Sequence, residues 1–365
     1  MKNKAFDWFF PSFCEKEKIS LNKLLKSNFL NEGSLTKKFE DKIAKYLNVK
    51  YAVCVTSGTI ALALALLANG VRRNDKVLTS NFTFVATANA VTLIGAKPIF
   101  VDITKEDFTI DSKKIIPLMK DGVKAIISVD VNGRACDYKN LEKISRDYNV
   151  PLISDSAEAL GSKYNNKFLG TFGECGCFSF SAAKTLSTGQ GGIIVTNKKK
   201  IYHRLLELKD QGRRKRGTGG NDFHPVIGFN FKYTDLQACV GIEQFKKLRM
   251  RIKNFEKRDY YYTKNLKDIG EITLPFKKKG EVLQWFDILI KKKKKELLNF
   301  LKVKRIGYRE FWYPINFQKP YKGKSKNFIN TYEVSREGLW LPSNFLLKKE
   351  HIEEVCYLVR KFYDN

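Results

Sequence analysis

Between Tyr51 and Asn197 the chain alternates short, β-branched apolar runs with longer stretches whose apolar positions recur at helical spacing. Apolar runs over 52–56, 76–80, 98–103, 124–131 and 151–155 predict strands, and the segments 58–69, 84–94, 112–121 and 138–148 predict the helices between them. Alternation of this kind implies a mostly parallel sheet with helices on both faces. The runs carry few polar positions, as strands covered on both sides should. Sheets wound this way bind their ligands beyond the carboxyl ends of the strands.

Past Asn197 the pattern changes. Helical spacing over 199–211 leads into a loop, 212–225, that is dense in glycine and arginine and too basic to bury. A long helix is expected over 234–258. From about 255 onward the signals weaken: an apolar run over 282–290, a helix over 294–301 and a closing helix over 350–363. No internal repeat is visible. A chain of 365 residues is long for one core, so the expected organisation is a large α/β domain over 1–250 and a smaller α+β domain over 251–365.

Composition excludes some functions. No apolar run approaches a membrane span, and the first residues have no long apolar core before a small-residue cleavage site, so a cytoplasmic protein is expected. Cysteines at 14, 54, 136, 175, 177, 239 and 356 form no CxxC pair, and histidines 203, 224 and 351 are far apart. That scatter predicts no metal site and reduced, buried thiols. The net charge of +29 is the unusual number. It could serve nucleic acid, an anionic membrane or anionic substrates, but the lysines are spread along the chain with no nucleic-acid-binding signature. A solvated basic surface is the plainer reading, with the arginines at 213, 214 and 216 free to meet an anionic substrate.

Three positions carry chemistry together that none carries alone. Lys184 follows the β-prone run 175–179 and precedes a glycine-rich turn, where a lone lysine reads as a surface charge. Asp155 ends an apolar strand and by itself could be a helix cap. Ser57-Gly58-Thr59 opens an apolar helix after a strand, where free backbone N–H groups and the helix dipole suit a phosphate, although such turns are also common caps. A Schiff-base lysine, a carboxylate for a pyridine nitrogen and a phosphate cradle are what pyridoxal phosphate (PLP) requires. Ser179, five residues before Lys184, could donate to the same phosphate. Glu158 could reach the cofactor or a substrate, or complete a capping box. Phe84 could stack on the ring or belong to the core.

These segments resemble one known family. The stretches 28–33, 51–59, 155–161, 175–192, 228–238 and 338–343 occur in the order and spacing of the DegT/DnrJ/EryC1/StrS sugar aminotransferases. That family belongs to the fold-type I, aspartate aminotransferase-like, PLP-dependent transferases. The resemblance implies that Lys184 carries the cofactor and shuttles the proton, that Asp155 pairs with the pyridine nitrogen, and that Phe84 stacks on the ring. It implies that Gly58, Thr59 and Ser179 hold the phosphate and that Glu158 lies on the hydroxyl side of the ring. Asn230 matches a residue that reaches the neighbouring subunit's cofactor, which implies a homodimer with active sites at the interface. A related deoxygenating branch carries His at the Lys184 position, so Lys184 points to amino transfer.

The substrates follow from the same resemblance: L-glutamate as donor and a nucleotide-linked keto sugar as acceptor, with no nucleic acid or membrane partner. Two features depart from the commonest pattern. Glu158 stands where many members have Gln, although a subgroup making 4-amino sugars carries Glu, and 129–133 reads Val-Asp-Val-Asn-Gly instead of a His-Leu-Tyr-Gly stretch. The segment 311–321, with Tyr313, resembles a small-domain loop of perosamine-synthase-like members. That favours the 4-ketone of a 6-deoxyhexose, with a 3-keto sugar or an aminocyclitol as the rival. A non-catalytic protein of the same fold, binding anionic polymers through its charge, is the reading from another class.

Overall fold

The structure is a computed structural model and describes residues 6–213, 223–323 and 327–364. Seven strands build the main sheet: β1 Tyr51–Val55, β2 Lys76–Ser80, β3 Lys97–Val101, β4 Val123–Val129, β5 Leu152–Asp155, β8 Cys175–Ser179 and β9 Gly192–Thr196. Between β5 and β8 a short antiparallel pair, β6 Lys163–Tyr164 and β7 Lys167–Phe168, stands apart. The sheet order is β1-β9-β8-β5-β4-β2-β3. All its pairings are parallel except those of β9, which runs antiparallel to both neighbours. The sheet is therefore mostly parallel, as the alternation predicts.

The one reversed strand has a local cause. Only residues 180–191 connect β8 to β9, and they contain no helix. A parallel return needs a crossover, usually helical, so this connection can only fold back. Phe180 N–H donates to Gly191 O (2.8 Å) and Thr188 N–H to Phe180 O (2.9 Å), closing the loop at its base.

Sequence and structure differ at two helices. The run over 112–121 is one α-helical turn, Ser112–Ile115, continued as a 3₁₀ segment, Ile116–Asp121, whose first turn holds Pro117. Proline has no N–H to give to an α-helical bond, so the tighter winding loses less. The long helix expected over 234–258 is two helices, Asp235–Lys246 and Leu248–Leu266. At the junction Lys247 N–H turns back to Gln244 O (3.0 Å), and its ammonium bonds Glu17 (2.6 Å).

The helix Gly58–Ala68 is apolar on every side, and its residues 61–66 are all buried. A helix without a polar face belongs inside, and this one lies between the sheet and the helices Ala86–Leu93 and Lys199–Lys209. Its amino end therefore points from the core to the strand ends of the sheet.

A second sheet of four antiparallel strands comes from the last third of the chain: β10 Ile272–Thr273, β11 Phe286–Ile290, β12 Arg309–Glu310 and β13 Gly338–Leu341, in the order β10-β11-β13-β12. The helices Lys294–Val303, Ile329–Glu337 and Lys349–Asp364 complete this α+β part. Trp285, Phe311, Trp312 and Trp340 pack into the same core cluster as Val129, Ile153 and Cys177 of the main sheet. The two parts therefore share one buried apolar core.

Candidate active site

The molecule holds a cavity of about 340 Å³ at the carboxyl ends of β4, β5 and β8. Gly58, Thr59, Phe84, Asp155, Glu158, Ser179 and Lys184 all line it. The structure thus brings together seven of the residues singled out by sequence, drawn from four separate segments of the chain.

Asp155 is the last residue of β5, in register with Val129 on β4. Its carboxylate accepts from Thr87 Oγ1 (2.7 Å) and Ala157 N–H (3.2 Å). Among the described residues no cation forms an ion pair with it. Burial pushes its pKa up to about 6, and the nearby charge of Glu158 adds to the rise. A buried carboxylate without a cation fits a protonated pyridine nitrogen.

At the amino end of the helix Gly58–Ala68, Ser57 Oγ caps Ile60 N–H (3.2 Å). The N–H groups of Gly58 and Thr59 precede the first N–H that bonds within the helix, that of Ala61 to Ser57 O (2.9 Å), and the helix dipole adds positive potential. Gly58 is required here by space. A Cβ at this position would lie 2.9 Å from Ser179 Cβ, so the helix start and the end of β8 close on each other only around a glycine. This cradle of backbone donors and a serine fits a phosphate.

Lys184 sits in a turn of the β8–β9 loop, its N–H bonded to Ser181 O (3.1 Å). Its amine donates to Glu158 Oε1 (3.0 Å) and lies 5.4 Å from the centroid of the Trp285 ring. The other oxygen of Glu158 accepts the backbone N–H of Asn132 (3.0 Å). The sequence left Glu158 open between cofactor, substrate and capping; in the structure it is the partner of Lys184. Lys209 is the contrasting lysine. It is 1% exposed and committed to Glu32 (2.6 Å), with Glu40 at 3.7 Å, away from the cavity.

Asn132, from the unusual 129–133 stretch, ties the two parts of the molecule. It is buried with φ +53°, in the left-handed region that asparagine tolerates. Its amide donates to Trp285 O (2.8 Å) and Asp287 Oδ1 (2.6 Å) and accepts from Trp285 N–H (2.8 Å). Asp287 is also held by the buried Arg134 guanidinium and by Trp340 Nε1 (2.7 Å). The next residue, Gly133 (φ +89°), would place a Cβ 2.1 Å from Val282 O, so the approach of the second part depends on it. Asp130, the residue after β4, lines the cavity and accepts from Tyr138 Oη (2.7 Å). Burial pushes it up to about 7.

Trp285, Arg309 and Trp312 also line the cavity, and sequence reasoning missed all three. An arginine followed by aromatics, Arg309-Glu-Phe-Trp312, was the available signal. Other expected residues lie elsewhere. Asn230 is exposed, bridged to Asp210, and does not line this cavity. Arg213 lines a shallow surface groove with His224 and Ile227. Tyr313 is 61% exposed and borders a different groove with Phe317 and Tyr332. Arg214 and Arg216 fall outside the described residues. Among the described residues no cluster of His, Cys, Asp or Glu is placed to hold a metal, and no helix is long and apolar enough to cross a membrane.

A fold-type I sheet, a lysine on the β8–β9 loop, a buried acid at a strand end and a phosphate cradle define a PLP-dependent aminotransferase. The family model of the DegT/DnrJ/EryC1/StrS aminotransferases matches residues 11–360, and the chain belongs to that family. GDP-perosamine synthase of Escherichia coli O157:H7 is 34% identical over 97% of this chain and 98% of its own. The dTDP-4-amino-4,6-dideoxy-D-glucose transaminase of Shigella dysenteriae is 31% identical over 91% of each chain. Among solved structures, Helicobacter pylori PseC, an aminotransferase involved in the biosynthesis of pseudoaminic acid, superposes with a TM-score of 0.90 at 27% identity, covering 98% of this chain and 99% of its own.

Proposed function

We propose that this enzyme moves the amino group of L-glutamate to the C4 ketone of a nucleotide-linked 4-keto-6-deoxyhexose, in the cytoplasm and as a homodimer. The observation that carries the reading is the Lys184 amine, 3.0 Å from Glu158 and in one cavity with the buried Asp155, which has no ion-pair partner among the described residues. The similarity to a GDP-perosamine synthase and to a 4-amino-4,6-dideoxyglucose transaminase supports the 4-ketone. So does glutamate at position 158.

PLP bound here supplies an electron sink that makes a hydrogen on the carbon bearing nitrogen removable. Asp155 holds the pyridine nitrogen protonated. Gly58, Thr59 and Ser179 hold the phosphate, and Phe84 covers a ring face. Lys184 takes the proton from the donor's α-carbon and, in the second half of the cycle, delivers one to C4 of the sugar. Glu158 keeps the amine in place between these steps. Asn230, exposed on its own subunit, reaches the partner's cofactor. Arg213 and Tyr313, which lie outside the cavity, meet the nucleotide-sugar together with Arg214, since guanidinium groups suit a diphosphate.

The test is amination by the PLP-loaded enzyme with L-glutamate and purified 4-keto or 3-keto nucleotide sugars, read by mass spectrometry. The expected product is a 4-amino sugar. Turnover of the 3-keto sugars alone overturns the reading.

A further inference from the structure

Arg251 lies near the start of the helix Leu248–Leu266 and is 2% exposed. The buried Arg134 has Asp287 as its counter-ion, but Arg251 forms no ion pair among the described residues. Its hydrogen-bond acceptors there are two backbone carbonyls. Nη1 donates to Thr185 O (2.8 Å) and Nη2 to Ser12 O (2.9 Å). The guanidinium carbon lies 4.2 Å from the centroid of the Phe345 ring. Burial lowers its pKa to about 10, against the opposing field of Glu17. A desolvated cation held by two neutral carbonyls costs stability that a well-packed apolar side chain would not. What those carbonyls belong to gives the reason for the cost.

Thr185 directly follows Lys184. The β8–β9 loop that carries both contains no helix, and before Lys184 its main chain is closed by the bond from Lys184 N–H to Ser181 O. After Lys184, Arg251 holds the Thr185 carbonyl, and the next N–H of the loop to bond main chain is that of Thr188. Ser12 belongs to the N-terminal arm, whose Phe6 and Trp8 carbonyls accept from Gly307 (2.7 Å) and Ser343 (2.9 Å) of the second part. Phe9 of the arm and Phe255 of the helix both pack on Phe345, each at 5.5 Å between ring centroids. One guanidinium therefore joins the loop of Lys184 to an arm laid along the other part of the molecule.

We propose that Arg251 is a positioning residue for Lys184, fixing the main chain one residue beyond it, with the N-terminal arm as the second anchor of the same fork. A lysine side chain is a flexible four-carbon stem. Its amine serves two carbons in turn, one on the donor and one on the sugar. The origin of the stem must be fixed for both to be reached reproducibly, and a displacement of about 1 Å at a reacting group costs about 100-fold in rate. Arginine suits the task because its rigid fork holds two carbonyls at once, whereas an ammonium is a compact donor on a mobile chain. Arg251 does not line the cavity, so it acts through Lys184 and not on substrate or cofactor. This assignment rests on the aminotransferase chemistry and not on which keto sugar accepts the amine.

The test uses the PLP-loaded protein with Arg251→Gln and Arg251→Lys, its rates normalised to bound cofactor. The first half of the cycle is followed by cofactor absorbance in single turnovers with L-glutamate, and hydrogen exchange is followed by mass spectrometry. In Arg251→Gln the rate should fall about 10- to 100-fold, with the half-saturating glutamate concentration changed less than about 2-fold. Exchange should speed up over 181–188 and 9–14 and stay the same in β11 and β13. Arg251→Lys, which keeps the charge and one donor position, should lose only about 2- to 10-fold. It decides the matter if Arg251→Gln yields no folded holoenzyme. Rate and exchange must change together. A change in either one alone, or a loss that falls on the half-saturating concentration, overturns the proposal. If the unmutated enzyme does not react with L-glutamate, the proposed donor fails, and the amino acid that does react takes its place in this test.

Discussion

The two walls of the cavity are made in different ways. One is the rim of the parallel sheet: Asp155 ends β5, Ser179 ends β8, and Gly58 begins the helix after β1. Its side chains are placed by strand register, and a strand cannot slip by one residue without turning its apolar set outward. The other wall, Trp285, Arg309 and Trp312, hangs from the four-stranded sheet and lies more than 100 residues further along the chain. No shared strand positions it against the first wall. Asn132 and Gly133 do so, through hydrogen bonds and close approach. One wall is fixed by topology and the other by a few buried polar contacts, so they should fail differently.

The largest separation is expected from Asp155→Asn on the first wall. Removing the charge opposite a buried pyridinium should weaken PLP binding about 10²- to 10³-fold, measured by cofactor titration, with little loss of folding stability. Asn132→Ala should do the reverse. It strands the Trp285 backbone groups and part of Asp287 in a buried site, a cost of about 2–4 kcal/mol that thermal melts will register. Tryptophan emission should shift, and PLP affinity should change less than in Asp155→Asn. If the two variants lose cofactor equally, the walls are not independent.

The smallest effect is on pH dependence. Asp155 and Asp130 have folded-state pKa values raised to about 6 and about 7. Over the interval from the ordinary carboxylate value to those values the folded protein binds more protons than the unfolded chain, so these groups make stability fall as pH rises. The cofactor-free protein should therefore lose stability between about pH 4 and 7 through these groups, and Asp155→Asn should flatten that slope. Loading with PLP should flatten it too, because a pyridinium partner draws Asp155 back toward ionisation. A slope that is the same in all three is the contrary result.

The same division governs what the sequence reveals. Asp155, Ser179 and Gly58 are legible because a strand end and a strand-to-helix turn are local patterns with a general rule for where ligands bind. The reversal of β9 was legible in principle from the helix-free loop over 180–191. The Glu158–Lys184 pair was not, since it joins residues 26 positions apart through the mutual placement of β5 and β8. Arg309 and Trp285 were hidden further. Antiparallel strands of two to five residues carry little periodicity, and their register depends on partners far along the chain. The break at Lys247 escaped because both flanking segments keep helical spacing, and only a turn back to Gln244 divides them.

The central claim is that Lys184 is the lysine that bonds the cofactor. Borohydride reduction of the PLP-loaded protein, followed by digestion and peptide mass spectrometry, tests it in a chain with many competing lysines. The reduced pyridoxyl mass should fall on the peptide carrying Lys184 and vanish in Lys184→Ala. The label on another lysine, with Lys209 the instructive case because it too is buried, or a label that survives Lys184→Ala, would contradict the account.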